Sequence, residues 1–309
     1  MKRRTLALAV ALALTGALAG CGGGEPAAEP STPAGDDYPV TVEGAAGKVV
    51  LDKQPTKIVS LSPTATEMLF AIGAGKQVAA VDDLSNYPKD APVTKLSGFK
   101  PNADAVAGYD PDLVVLAYDA NQVVDSLKKL KIPVYVAPAA TTLQDTYQQI
   151  EDLGALTGRA KEAQALNERM KADIAKLTKD VPKRDKPLTY YYELDPQLHS
   201  ATSKTFIGAV LKEAGLQNIA DAADKDGSGY PQLSAEYVIS ANPDLVFLAD
   251  TKCCGQSPEV VAKRPGWNKL TAVKSGGVYA LDDDIASRWG PRIVELVRIV
   301  TDAAAKVPA

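Results

Sequence analysis

One histidine, three cysteines, two tryptophans and four phenylalanines in 309 residues close off several chemistries before any motif is read. A single imidazole, His199, excludes a three-histidine zinc centre and leaves a catalytic triad little to draw on. Cys21, Cys253 and Cys254, two of them adjacent, build neither a four-cysteine zinc site nor a disulfide scaffold. No metal-ligating set or cofactor site is assigned. Excess positive charge is lacking too: 34 Lys+Arg against 38 Asp+Glu give −4, and losing Lys2, Arg3 and Arg4 with a cleaved leader takes this to −7. That argues against nucleic acid or an anionic membrane surface as the main partner. A G-x-S-x-G elbow is absent. Gly73-Ala74-Gly75-Lys76-Gln77 is no phosphate loop, because Phe70 and Gln77 stand where Gly and Ser or Thr belong; it reads as a glycine-terminated helix.

What is present begins with an address. Lys2-Arg3-Arg4 precedes the small and apolar run Thr5 to Leu18, too short to span a bilayer but suited to a signal peptide. Leu18-Ala19-Gly20-Cys21 resembles a bacterial lipobox. That resemblance implies a signal peptide over 1–20, cleavage before Cys21 and acylation of its thiol; an ordinary secretory signal is the alternative. Residues 21–37, rich in Gly, Pro, Ala and acid, have almost nothing to bury and read as a flexible tether.

Beyond it, strands alternate with helices. Lys57–Leu61, Val78–Val81, Leu113–Tyr118 and Val134–Val136 read as strands. Ser62-Pro63 offers a helix N-cap, with Thr64 and Glu67 as an alternative capping box. Asn121–Leu130 is helical between the last two strands. From Thr142 to Lys179 good helix formers dominate, divided by Gly154 and Gly158, and Ala163, Leu166, Met170, Ile174 and Leu177 form one apolar stripe. Strands return at Leu188–Leu194, Leu245–Ala249 and Val278–Leu281, and an amphipathic helix over Pro291–Val300 closes the pattern. The expected fold is α/β: two Rossmann-like lobes, each a mainly parallel sheet flanked by helices, spanning 38–155 and 182–309, joined by one long interlobe helix over 156–181.

The strongest internal signal is a repeat. Asn102–Ala117 (NADAVAGYDPDLVVLA) and Ser234–Ala249 (SAEYVISANPDLVFLA) share eight of sixteen positions without a gap. Asn102 and Ser234 are both N-cap types, and Asp104 and Glu236 each put an acid in the first turn.

Taken together, the tether, KIVSLSPTATEMLFAIGAG, the twin PDL strands, Gly215 and Asn218 in LKEAGLQNIA, and WGPRIVELVRI resemble the class III substrate-binding proteins of ABC importers, over roughly Lys57 to Val300. Within that family Tyr230-Pro231-Gln232-Leu233-Ser234 and Asp284–Arg292 are most similar to cobalamin-binding members, while siderophore- and haem-binding members share much of the pattern. The resemblance implies a non-enzymatic, monomeric lipoprotein on the extracytoplasmic face of the cell membrane, anchored through acylated Cys21. It would bind a metal chelate between its lobes, cobalamin before ferric siderophore or haem, and deliver it to an ABC permease dimer. It also implies that Asp284 and Arg288 contact ligand and that Asp104 and Glu236 dock on permease arginines, one lobe to each subunit. An exported α/β hydrolase is the rival from another class.

Several residues stay open between roles. Ligands of open α/β sheets sit at the carboxyl ends of strands, and aromatic rings suit a large planar ligand. Tyr87, Phe99, Tyr118, Tyr230 and Trp289 are therefore ligand candidates, with core packing as the alternative, which Trp267 fits better. Arg288 either pairs with a polar chelate or with Asp283 or Asp284. Cys253-Cys254-Gly255 forms a vicinal disulfide, two free thiols or a soft-metal trap. His199 is a surface or satisfied pocket residue, or an axial ligand.

Overall fold

Each sheet is built by the same threading. A computed structural model describes residues 38–308; the signal peptide, Cys21 and the whole tether over 21–37 lie outside the described residues. An antiparallel hairpin comes first, β1 (Val40–Gly44) and β2 (Gly47–Leu51). β3 (Ile58–Leu61), β4 (Val78–Val81), β5 (Leu113–Leu116) and β6 (Val134–Val136) then form a parallel sheet in the order β4-β3-β5-β6. The second sheet holds β7 (Thr189–Glu193), β8 (Gln217–Asn218), β9 (Leu245–Leu248) and β10 (Val278–Ala280). From the same edge its order is β8-β7-β9-β10, again parallel. The two lobes therefore have one topology. β3, β5, β6 and β9 are buried along their whole length, as sheets covered by helices on both faces require.

The repeated PDL triplets explain how the sheets are pinned. Asp112 Oδ2 accepts hydrogen bonds from Thr56 N, Thr56 Oγ1 and Lys57 N at 2.8, 2.8 and 3.1 Å. Asp244 Oδ2 accepts from Thr189 N and Oγ1, both at 2.8 Å. In each lobe the aspartate that opens the third strand thus clamps the start of the central strand beside it. Partial burial would raise the Asp112 pKa, but these donors outweigh it and hold the carboxyl below its ordinary value.

The chain between the lobes folds as two helices, Leu143–Thr157 and Ala160–Lys179. Gly158, at φ 67°, makes the break. Gly154 was expected to divide them as well, but it stays inside the first helix. Its role is close approach, since a Cβ there would lie 2.4 Å from that of Ala163. The second helix is about 30 Å long at 1.5 Å per residue. It buries Ala163, Leu166, Met170 and Ile174 against the first helix and the closing helix Ile293–Lys306, so both lobes are braced on one rod.

Ser62 caps the helix Pro63–Ala71 by accepting from Ala65 N, with proline at its start. The alternative capping box is not formed: Glu67 is buried and turns away from its own helix end. Hairpin β1–β2 and the two-residue β8 went unread in the sequence, the former because it alternates only over five residues beside the polar tether. No helix among the described residues is long and apolar enough to cross a membrane.

Asp112→Ala is expected to remove about 1–3 kcal/mol of stability, because backbone donors of the central strand lose their acceptor. Urea unfolding checks this. Asp110→Asn, at an exposed carboxylate paired with Lys57 among the described residues, is the control: it keeps a residue type that tolerates the φ of 52° there and should cost well under half as much.

Candidate ligand cleft and its interlobe junction

Parallel strands of the two lobes end toward one another's loops, and one buried carboxylate joins them. Glu67, on the first helix of the N-terminal lobe, receives Arg288 Nη1 at 2.9 Å on Oε1, and Arg292 Nε at 2.9 Å and Nη2 at 2.6 Å on Oε2 and Oε1. Gly290 lets the chain pass closely, since a Cβ there would stand 3.3 Å from Glu67 Oε2. Arg288 is 9% exposed. It also donates to Asn86 Oδ1, to the Leu84 carbonyl and, at 2.7 Å, to Asp284 Oδ1. Asp284 Oδ2 in turn accepts from Asn86 Nδ2 at 3.0 Å and Lys252 Nζ at 2.8 Å. Burial alone would raise the pKa of Asp284; the bonds from Lys252 and Asn86 and the charge of Arg288 win and lower it. Trp289 completes the seam, its indole N–H on Gln149 Oε1 at 3.0 Å and its carbonyl accepting from Thr146 Oγ1.

The sequence candidates therefore separate into two groups. Tyr87, Phe99, Tyr118 and Tyr230 present exposed rings, 43, 64, 44 and 56% accessible, on loops. Tyr118 lies two residues past β5 and Tyr87 in the loop that follows β4. The Arg292 guanidinium stacks over the Tyr87 ring at 4.2 Å. Arg288 and Trp289, by contrast, have their polar groups engaged within the protein. Trp267 packs as expected, buried against Tyr191. His199 is half-buried, with Nδ1 2.7 Å from Asp195 Oδ2. A cavity of about 560 Å³ lies beside the junction, lined by Phe70, Tyr87, Arg169, Met170, Arg292 and Glu295 among others. It opens along the interlobe helix, and Phe99, Tyr118 and Tyr230 do not line it.

The floors beneath the two sets of strand ends differ. In the N-terminal lobe a chain of hydroxyls runs from Ser60 through Thr66 to Ser85 and on to Asp82. Burial is the main cause that raises the pKa of Asp82, against its Ser85 hydrogen bond. In the C-terminal lobe Glu193, fully buried at the end of β7, takes a two-pronged contact from Arg264 at 2.6 and 2.5 Å. Asp250, two residues past β9, is also fully buried, and neither of its oxygens finds a hydrogen-bond partner among the described residues. Burial, with the nearby negative charge of Glu193, pushes its pKa up to about 7. No group of three or more His, Cys, Asp or Glu side chains among the described residues could hold a metal ion.

Cys253 and Cys254 are free, exposed thiols where a vicinal disulfide was one expectation. They sit in the short helical turn Thr251–Cys254, which keeps the peptide between them helical, and Gly255 at φ 67° ends it. Asp104 and Glu236 each lie in the first turn of a short helix, Ala103–Ala107 and Ala235–Ala241, capped by Asn102 and Ser234. Both acids are exposed and neither makes an ion pair among the described residues. Asn86, Lys252 and Asp250 were not singled out from sequence. Glu67 was read there only as a helix-capping acid, and Arg292 only as a neighbour of Trp289 in the closing motif.

Two equivalent α/β lobes on a helical rod, with a seam at their strand ends, define a bilobal binding protein. The chain belongs to the periplasmic binding protein family, whose model matches residues 58–285. It is 32% identical to an ABC transporter substrate-binding lipoprotein of Bacillus subtilis, over 98% of each chain. It is also 32% identical to a cobalamin-binding protein of Halobacterium salinarum, over 84% of this chain and 72% of that one. A crystal structure of a possible iron-binding (periplasmic solute-binding) protein from Staphylococcus epidermidis superposes with a TM-score of 0.70 at 29% identity, covering 81% of this chain and 99% of that one. The hydrolase alternative finds no support in these likenesses.

Asp250 gives a pH prediction. Its folded pKa lies above the unfolded value, so the folded state holds the proton more tightly and stability falls as pH rises from about 4 to 7. Asp250→Asn should flatten that fall and raise stability at pH 8 by about 1–3 kcal/mol, read from melting curves across pH 4–8.

Proposed function

We propose that this protein is an extracytoplasmic solute-binding lipoprotein that captures a metal chelate between its lobes and hands it to an ABC permease, with cobalamin as the preferred ligand. The observation that carries the choice is the contrast at the strand ends. Four exposed aromatic rings offer apolar area to a broad, planar ligand. The arginines nearest the seam, Arg264, Arg288 and Arg292, are already matched by Glu193, Glu67 and Asp284. Such a surface suits an amide-rich corrin better than a chelate bearing several carboxylates, which needs unpaired guanidinium forks. The likeness to the cobalamin-binding relative points the same way.

On this reading Tyr87, Phe99, Tyr118 and Tyr230 contact the chelate, with Asp284 at the rim, while Arg288 and Trp289 act from behind by holding the lobes at a fixed opening. Anchoring through acylated Cys21, outside the described residues, keeps the body at the membrane, where a single acyl chain alone binds only reversibly. Asp104 and Glu236, at matching places on the two lobes and without an ion pair among the described residues, meet arginines on the two permease subunits as a monomer docks. A ferric chelate or haem is the second reading. It is favoured by the exposed phenols of Tyr118 and Tyr230, since tyrosine oxygen ligates ferric iron.

The deciding experiment is calorimetric titration with cyanocobalamin, haemin and a ferric hydroxamate. Binding of cyanocobalamin alone is expected; binding of only the iron chelates would replace the first reading by the second. Tyr118→Ala with Tyr230→Ala should weaken the bound chelate by about 1–3 kcal/mol. Asp104→Arg with Glu236→Arg should abolish uptake into cells while chelate affinity and Tm stay at wild-type values.

A further inference from the structure

The dithiol at Cys253 and Cys254 is not needed for chelate capture, yet it occupies a mechanically connected place. The turn that carries it, Thr251–Cys254, follows β9 at the carboxyl end of the sheet. Its first three amides, Thr251, Lys252 and Cys253, all donate to the Asp283 carboxylate at 2.9–3.0 Å. Lys252 Nζ bridges Asp282 at 2.7 Å and Asp284 at 2.8 Å, and Asp284 is hydrogen-bonded to Asn86 of the other lobe. One path of direct contacts thus runs from the two thiols to the interlobe seam.

The neighbouring Cys254 thiol, then slight burial and the charges of Asp283 and Asp250, push Cys253 up to about 12. Consecutive Cα atoms across a trans peptide stand about 3.8 Å apart, short of the roughly 4.4–6.8 Å of relaxed disulfides. A bond between them is strained, and strained, exposed disulfides are the readily reversed ones. Closing it also forces residues 253 and 254 out of helical geometry.

We propose that Cys253–Cys254 is a reversible thiol–disulfide exchange site that takes a disulfide-class oxidant, and that closing its ring slackens the hold of Lys252 on Asp284, whose bond to Asn86 crosses between the lobes. The Cys254 thiolate attacks one sulfur of the oxidant's disulfide, forming a mixed disulfide and expelling the first thiolate. Cys253 then attacks Cys254 Sγ, its proton passing to the departing second thiolate. Two electrons leave the protein, the oxidant's disulfide becomes two thiols, and one S–S bond replaces two S–H bonds. The turn unwinds, the Asp283 clamp on its amides opens, and Lys252 is drawn from Asp284.

The test treats the full chain with oxidised glutathione and then with dithiothreitol. Peptide 253–263, released by trypsin, should lose two hydrogens and regain them, with the protein still monomeric. Hydrogen exchange should show the Thr251, Lys252 and Cys253 amides opening about tenfold faster in the oxidised form, the equivalent of one hydrogen bond each. Cys254→Ser, which cannot close the ring, should show no such change under the same oxidant. Stable glutathione adducts or intermolecular dimers in place of the ring would overturn the exchange site. A closed ring with unchanged exchange at those amides would overturn its coupling to the seam.

Discussion

Two arginines from one lobe converge on one buried carboxylate of the other, and most of what can be said about this molecule follows from that junction. Taking Glu67 out of water is costly, and the cost is offset only because Arg288 and Arg292 supply three short charge-assisted bonds to it. Loss of either side would strand a buried charge, so the junction tolerates little sliding. The interlobe helix braces both lobes from behind. Arg288 also reaches Asp284, Asn86 and the Leu84 carbonyl, extending the constraint from the packed interior to the loops that face the cleft.

The fold was far more legible than the site. Apolar, β-branched runs located seven of the ten strands among the described residues within two residues, because a strand buried on both faces must be apolar throughout and short. The internal repeat announced two lobes of one design, and Asp112 and Asp244 show why the PDL triplet recurs: each performs the same clamp on a central strand. Glu67 was legible as a helix-capping acid and turned out otherwise, because its partners stand 221 and 225 residues downstream and leave no local spacing to read. Gly154 looked like a helix breaker for a similar reason. Its real neighbour, Ala163, belongs to another helix, and only the packed pair shows that the glycine is there for proximity. The exposed rings could be listed from sequence by their place after strands, but exposure separated Tyr118 and Tyr230 from Trp289 only once the lobes were assembled.

The same fold carries opposite electrostatic solutions at its two sets of strand ends. Hydroxyls relay from Ser60 through Thr66 and Ser85 to Asp82 in one lobe, a buried polar chain in which burial raises the pKa of Asp82. In the other, Glu193, Asp250 and Asp283 crowd around Arg264 and the backbone donors of residues 251–253, and the surplus negative charge is relieved by a proton on Asp250 near neutral pH. The loops past the strand ends therefore rest on uneven floors in the two lobes.

That asymmetry sits beside a symmetry. Where the sequence repeat is strongest, at residues 102–117 and 234–249, the two lobes agree in cap, first-turn acid, strand start and clamp. Past the end of the repeat they part at once, with Tyr118 in one lobe and Asp250 in the corresponding position of the other. A partner made of two equivalent subunits can be met only by a surface that presents the same groups twice at a fixed separation, which the Glu67 junction and the interlobe helix maintain. A small chelate with unlike faces is better held by walls that differ. On the transport reading, the boundary at residues 117 and 249 divides the two demands: framework and permease-facing helices before it, ligand-facing loops after it. The junction between lobes then serves both, since the spacing of the twin acids and the opening of the cleft are set by the same three side chains.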